Sequence, residues 1–264
     1  MPIVVARLRV PSLVIGMLLV LTSPLHHLAW VSWLGGGLIL VSMATTFMPG
    51  GHVKREPIPV HSPVQGRWIA VNSPADKVPS HGVHSAGQTY AIDLVYWPDT
   101  SKTWKSVHSW PLFQRPEAFP GFGQPIFAPA DGRVVRTRGG WRDHWSRNSW
   151  PALVYLFLEG SARELLGPSG LLGNHVVLDL GDGTYAALAH LKRRSNRVKE
   201  GELVRAGQQL AECGNSGNSS EPHIHFQLMD TSRTAFAAGL PFCFAGSEMP
   251  KNGEPLVAAV RRDD

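Results

Sequence analysis

The chain has 264 residues, 43% of them hydrophobic, enough for one good core and a small extra module. Its 27 glycines and 21 prolines argue against a helical bundle and for a β-rich fold with many tight turns. The formal net charge of +5 suits an anionic partner, but no Lys/Arg-rich run is interleaved with aromatics, so nucleic acid is not expected.

Two apolar stretches open the chain. The first, residues 10–25, follows Arg7 and Arg9 and contains Pro11. It can be read as a span or as the apolar region of a signal peptide, although no small-x-small cleavage site follows it. The second, residues 28–48, carries no charge and is long enough to cross a bilayer as a helix. The expectation is a transmembrane helical hairpin over residues 1–50 that anchors the protein to a membrane. Lys54 and Arg55 follow the second stretch, so positive charge flanks both ends. The positive-inside rule would then leave the following domain in the cytoplasm.

Residues 51–65 read as a linker containing Pro and His. From Gly66 the pattern changes to short β-type runs at 67–71, 89–95, 132–135, 175–180, 185–190, 204–211 and 223–229. Gly181-Asp182-Gly183 reads as a hairpin turn between the fourth and fifth of these. This order predicts a mostly β domain over residues 66–246, a sandwich or small open barrel. Residues 138–173 interrupt it as an insertion of loop and short helix, and residues 247–264 read as a C-terminal tail. Cys213 and Cys243 form no C-x-x-C pair, which argues against a thiolate zinc site or a thioredoxin-like redox site. They could bridge in an oxidising compartment; two buried free thiols are the favoured reading.

Three pieces carry chemistry. In Glu221-Pro222-His223-Ile224-His225-Phe226 the two histidines fall on one face of a strand, with Ile224 and Phe226 on the other. Asp93 sits inside the apolar strand 90–95, where a carboxylate is costly unless paired or metal-bound. His84 precedes it by nine positions, with His81 close by, and His190 ends the strand 186–190. Each alone is more readily structural. Together, two histidines and an aspartate can fill three positions of a tetrahedral zinc, with further histidines left for proton transfer. No H-E-x-x-H occurs, so a glutamate base on a zinc-binding helix is not expected.

Five segments occur in a telling order: Gly87 to Asp93, Ala128 to Val135, Gly173 to Val177, Ala189-His190-Leu191, and Gly214 to His225. This ordered set resembles the M23 family of zinc metallopeptidases, the lysostaphin- and LytM-like endopeptidases. The resemblance implies a two-sheet sandwich of the duplicated-hybrid type, a zinc ion, and hydrolysis of peptide bonds in peptidoglycan. It also implies an extracytoplasmic catalytic domain at the cell envelope, against the sense of the flanking charges. Carried over by position, the metal ligands are His84, Asp93 and His225, and the catalytic residues are His190 and His223. The compact family motif separates its His and Asp by three residues, whereas eight separate His84 from Asp93, and His81 stands as the alternative ligand. His175 and His144 are the next candidates near the site, His175 as a structural or supporting group. A metal-free regulatory module of the same family is the main rival. A biotinyl- or lipoyl-type carrier is disfavoured because no lysine lies in the turn 213–218, and a serine hydrolase because no G-x-S-x-G occurs.

Overall fold

A computed structural model describes residues 3–47, 55–165 and 168–258 of the chain. Two helices, α1 (Ile3–His26) and α2 (Ala29–Phe47), open it as an antiparallel hairpin. Their close approach depends on two glycines. A β-carbon on Gly16 would come within 2.8 Å of the Gly35 carbonyl oxygen, and one on Gly35 within 2.7 Å of the Gly16 oxygen.

The expected transmembrane hairpin is corrected here. The hairpin is helical, but among the described residues no helix is long and apolar enough to cross a membrane. Pro11 and Pro24 lie inside α1, which also contains Arg7 and Arg9 in sequence. The 19 residues of α2 include three consecutive glycines and several serines and threonines, which dilute its apolar content. Lys54, half of the second charge flank, lies outside the described residues.

Thirteen strands follow among the described residues: β1 (Ile58–Val60), β2 (Gly66–Val71), β3 (Ile92–Tyr96), β4 (Pro125–Phe127), β5 (Gly132–Arg138), β6 (His175–Asp179), β7 (Tyr185–Ala189), β8 (Leu203–Val204), β9 (Gln209–Glu212), β10 (Ile224–Met229), β11 (Gly239–Leu240), β12 (Phe242–Phe244) and β13 (Pro255–Ala258). The fold is mostly β, as expected, but its layers differ from two facing sheets. A nine-stranded sheet runs β13-β2-β3-β10-β7-β6-β5-β8, with β11 also paired to β10. Two small sheets, β1-β12 and β4-β9, pack into the same core, which joins Val60, Phe242, Ile126 and Leu210 to Trp68, Leu94, Leu188 and Phe226 of the large sheet.

Local chemistry explains the connections. The β6–β7 hairpin turns through Gly181, Asp182 and Gly183, all at positive φ (87°, 48° and 69°). Two of these are glycine, and Asp tolerates the left-handed region better than most side chains. The single run expected at 204–211 is broken at Gly207 (φ 83°), so β8 joins the large sheet while β9 pairs with β4. Residues 255–258, read from sequence as part of a tail, form β13 against β2, and residues 58–60 of the linker form β1 against β12. Within the insertion stand α3 (Trp150–Leu165) and α4 (Pro168–Leu172).

Alternation divides the central strands into two faces. Ile92 and Leu94 of β3, Leu188 of β7 and Phe226 of β10 enter the core, where Phe226 meets Phe242 at 4.9 Å between ring centroids. Asp93, Ala189 and His225 therefore point to the opposite face. Replacing the fully buried Phe226 by Ala should cost about 3–5 kcal/mol of unfolding free energy, measurable by urea denaturation. A loss under about 1 kcal/mol would show that this face of β10 is not the core.

Candidate metal centre

In the antiparallel pairing of β10 with β3, His225 lies directly opposite Asp93; in its pairing with β7 it lies opposite Ala189. Cross-strand partners share a face, so the register brings carboxylate and imidazole together, and the small Ala189 leaves room above them. His225 Nδ1 lies 2.9 Å from Asp93 Oδ1. His81 Nε2 lies 3.0 Å from Asp93 Oδ2. One ligand atom each from His81, Asp93 and His225 fall within 4.8 Å of one another, a spacing that can hold a metal ion.

The structure thus departs from the expected set at its first histidine. His81, not His84, stands beside Asp93. The reason is local: the Ser80 N–H donates to the Thr89 carbonyl (3.0 Å), which ties the loop to the start of β3 one residue before His81. The Ser80 hydroxyl, 3.1 Å from His81 Nδ1, orients the ring so that Nε2 faces Asp93. His84 lies three residues farther along, and its Nδ1 is 3.1 Å from the Thr89 hydroxyl.

Partners that sequence reasoning missed fix the donors. Gln227 Nε2 donates to the Ala86 carbonyl (2.8 Å), which leaves Oε1 to accept from His225 Nε2 at 2.8 Å. His225 therefore aims Nδ1 at the centre. This contact requires Gly87, where a β-carbon would come within 2.6 Å of the Gln227 amide. Asn72 Nδ2 donates to Asp93 Oδ2 at 2.8 Å. Gln227 follows His223 and His225 on the same face of β10, a period-two signal that was available; nothing local marks Asn72.

His190 and His223 complete a cluster of four imidazoles, their ring centroids 4.7 Å apart. His190 leaves the end of β7 at φ 63°, a left-handed conformation that turns its side chain to the cleft. Its Nδ1 donates to the Ser216 carbonyl (2.9 Å), and His223 Nδ1 donates to the Glu221 carbonyl (2.7 Å). Both rings thereby present Nε2. His223 Nε2 is 3.6 Å from Asp93 Oδ1. His175 and His144 are elsewhere: His175 Nδ1 bonds the Gly173 carbonyl at 2.8 Å, and His144 Nε2 bonds the Gly217 carbonyl at 2.8 Å. His144 thus braces the loop before β10 and does not line the cleft.

The electrostatics follow from burial. Burial raises the Asp93 carboxyl, but His81, His223 and His225 outweigh it and hold the group well below the usual range. Burial lowers His190 well below an ordinary histidine, helped by His223 and His225, so its neutral form is favoured. Burial also lowers His223, while Asp93 beside it pulls the other way. For His225, burial is overcome by Asp93 and the group is raised. Cys213 is buried and free, as is the half-buried Cys243, so neither forms a disulfide.

Comparison with known proteins agrees with the ordered motifs. Residues 158–236 match the family model described as Peptidase family M23. The chain is 31% identical over 143 residues to the peptidoglycan DD-endopeptidase ShyA of Vibrio cholerae, covering 53% of this chain and 25% of that protein. It is 28% identical over 130 residues to the glycyl-glycine endopeptidase ALE-1 of Staphylococcus capitis, covering 49% of this chain and 28% of that one. The chain thus spans about a quarter of the length of these curated relatives. Among solved structures, the catalytic domain of lysostaphin from Staphylococcus simulans is similar at 22% identity and a TM-score of 0.33, over 60% of this chain and 76% of that one.

Two measurements test the site. His81→Ala should abolish stoichiometric zinc binding in calorimetric titration, while His84→Ala retains it; the reverse result would restore His84 as ligand. Glu221, two residues before His223, is 4% exposed, and burial pushes its carboxyl up to about 8. The folded chain then keeps a proton that the unfolded chain loses near the ordinary carboxylate value, so stability falls as pH rises from about 4.5 towards 8. Glu221→Gln should melt higher than wild type at the alkaline end and converge with it in acid; parallel curves would show that Glu221 ionises freely in the fold. The resemblance read from the motifs is borne out by the match of residues 158–236 to the model of peptidase family M23.

Proposed function

We propose that residues 66–246 form a zinc-dependent endopeptidase that hydrolyses peptide bonds in peptidoglycan, working at the extracytoplasmic cell envelope. The observation that carries this reading is the donor set of half-buried His81 with buried Asp93 and His225, beside two further histidines that both present Nε2 to one cleft. The chemistry fits zinc: two imidazoles and a carboxylate with neighbouring proton-transfer groups are the donor set of an open catalytic site. The relatives, named as peptidoglycan and glycyl-glycine endopeptidases, support the class of bond.

Zinc held by these three residues would supply Lewis acidity at the scissile carbonyl. The protein's own residues do the rest. Asn72 and Gln227 hold Asp93 and His225 in their ligating orientations. His190, kept neutral by burial and anchored through Nδ1, accepts the proton of the attacking water at Nε2. The proton taken up at His190 Nε2 is the one delivered to the departing amine, and His223, its ring 4.7 Å from that of His190 and its Nε2 3.6 Å from Asp93 Oδ1, stands beside that transfer.

A metal-free regulator of the same family is the competing reading, and such a module would lack part of the donor set. Zinc content and release of peptide fragments from purified peptidoglycan separate the two. Wild type should bind one zinc and release fragments; His190→Ala should keep the metal while its rate falls by about 10²-fold or more. A fully zinc-loaded wild type that releases nothing would favour the regulator. An unimpaired His190→Ala would remove that histidine from the mechanism.

A further inference from the structure

The cleft over the donor set, about 230 Å³, has two unlike sides. One is polar, formed by Asn72, Gln88, Asp93, Asn218, Ser220 and the histidines. The other is apolar and is built by the insertion: Leu156 from α3, and Leu171 and Leu172 at the end of α4. Nothing in the chemistry of the metal centre needs that wall.

Its position is set by bonds to the catalytic segments. The Leu172 carbonyl accepts the His190 N–H at 3.0 Å, and the Leu171 carbonyl accepts the Asn218 N–H at 2.8 Å. Helix α3 is held by a charge latch. The buried Arg147 guanidinium donates to the carbonyls of Gly217 (3.1 Å) and Ser219 (2.8 Å) in the loop before β10, and it pairs with Glu159 of α3. Arg163 pairs with the same glutamate at 2.7 Å. Gly160 lets the helix approach, since a β-carbon there would come within 3.0 Å of the Asn218 amide.

We propose that Leu156, with Leu171 and Leu172, forms an apolar subsite that selects a peptide with a methyl-bearing residue, alanyl rather than glycyl, beside the scissile bond. This rests on the endopeptidase reading of the same cleft. A methyl group leaving water for this wall gains about fourfold in binding for each group buried, and glycine gains nothing. A charged side chain there would lose its hydration without a partner from the leucines.

The test uses the full zinc-loaded chain and two peptides that differ only in carrying Ala-Ala or Gly-Gly at the scissile bond. Wild type should favour the alanyl peptide by at least about fourfold in kcat/KM, mainly through KM. Leu156→Ala should bring the ratio towards one, the alanyl peptide losing more than the glycyl one, and Leu156→Met, which keeps the volume, should restore it. Equal handling of both peptides by wild type, or a ratio unchanged in Leu156→Ala, overturns the proposal. If neither peptide is cut, the endopeptidase reading fails by itself, and calorimetric binding of the same pair decides the subsite. An alanyl preference lost in Leu156→Ala upholds it; no preference, or no binding, overturns it.

Discussion

A carboxylate placed in the middle of a sheet, with imidazoles on both sides, is the constraint around which this molecule is arranged. Asp93 occupies an interior position of β3 that its neighbours Ile92 and Leu94 commit to the core, and its own buried side chain faces the other way, towards the cleft. An unpaired carboxylate there would be costly. Pairing with His225 across the strand, with His81 from the loop and with the Asn72 amide removes that cost. The register of three strands is thus tied to one charge. A shift of β10 by one residue would turn Phe226 towards the cleft and His225 into the core.

The surrounding bonds form a shell with a clear division of labour. Gln227 and Asn72 orient donors, whereas Ser216 and Glu221 hold the two other histidines through backbone carbonyls. Backbone acceptors cannot titrate, so His190 and His223 keep their Nδ1 protons regardless of pH near neutrality. The free face of each ring is then the one that meets a substrate.

Much of this was legible in sequence, for physical reasons that differ by residue. Asp93 was visible because a carboxylate breaks an apolar run, and His223 and His225 because a strand has a period of two. His190 was visible because it ends a small-residue strand. His81 was not separable from His84, because loop length carries no direction; the choice is made by Ser80 bonding to Thr89, a tertiary contact. Strands β1 and β13 were hidden because three or four residues are too short to show periodicity. The insertion was recognised as loop and short helix, but not as a wall of the cleft. The mixed pattern of its helix hid Leu156, whose role depends on what lies opposite, not on its neighbours in the chain. The opening helices illustrate the converse: apolar composition suggested a span, but prolines and glycines count against it once actual helix bounds are known.

The pairing of β10 with β3 also has a consequence for the order in which the protein is made. Asp93 and His225 are 132 residues apart in sequence. Long-range antiparallel pairing of this kind is paid for in loop closure before it is rewarded. A nascent chain that has emerged only as far as β7 presents His81 and Asp93 without their third donor, and with β3 still lacking the strand that pairs beside it. The cluster of imidazoles around Asp93 is therefore a late product of synthesis. In the proposed enzyme, metal capture would seal a nearly finished domain and would not template the start of one.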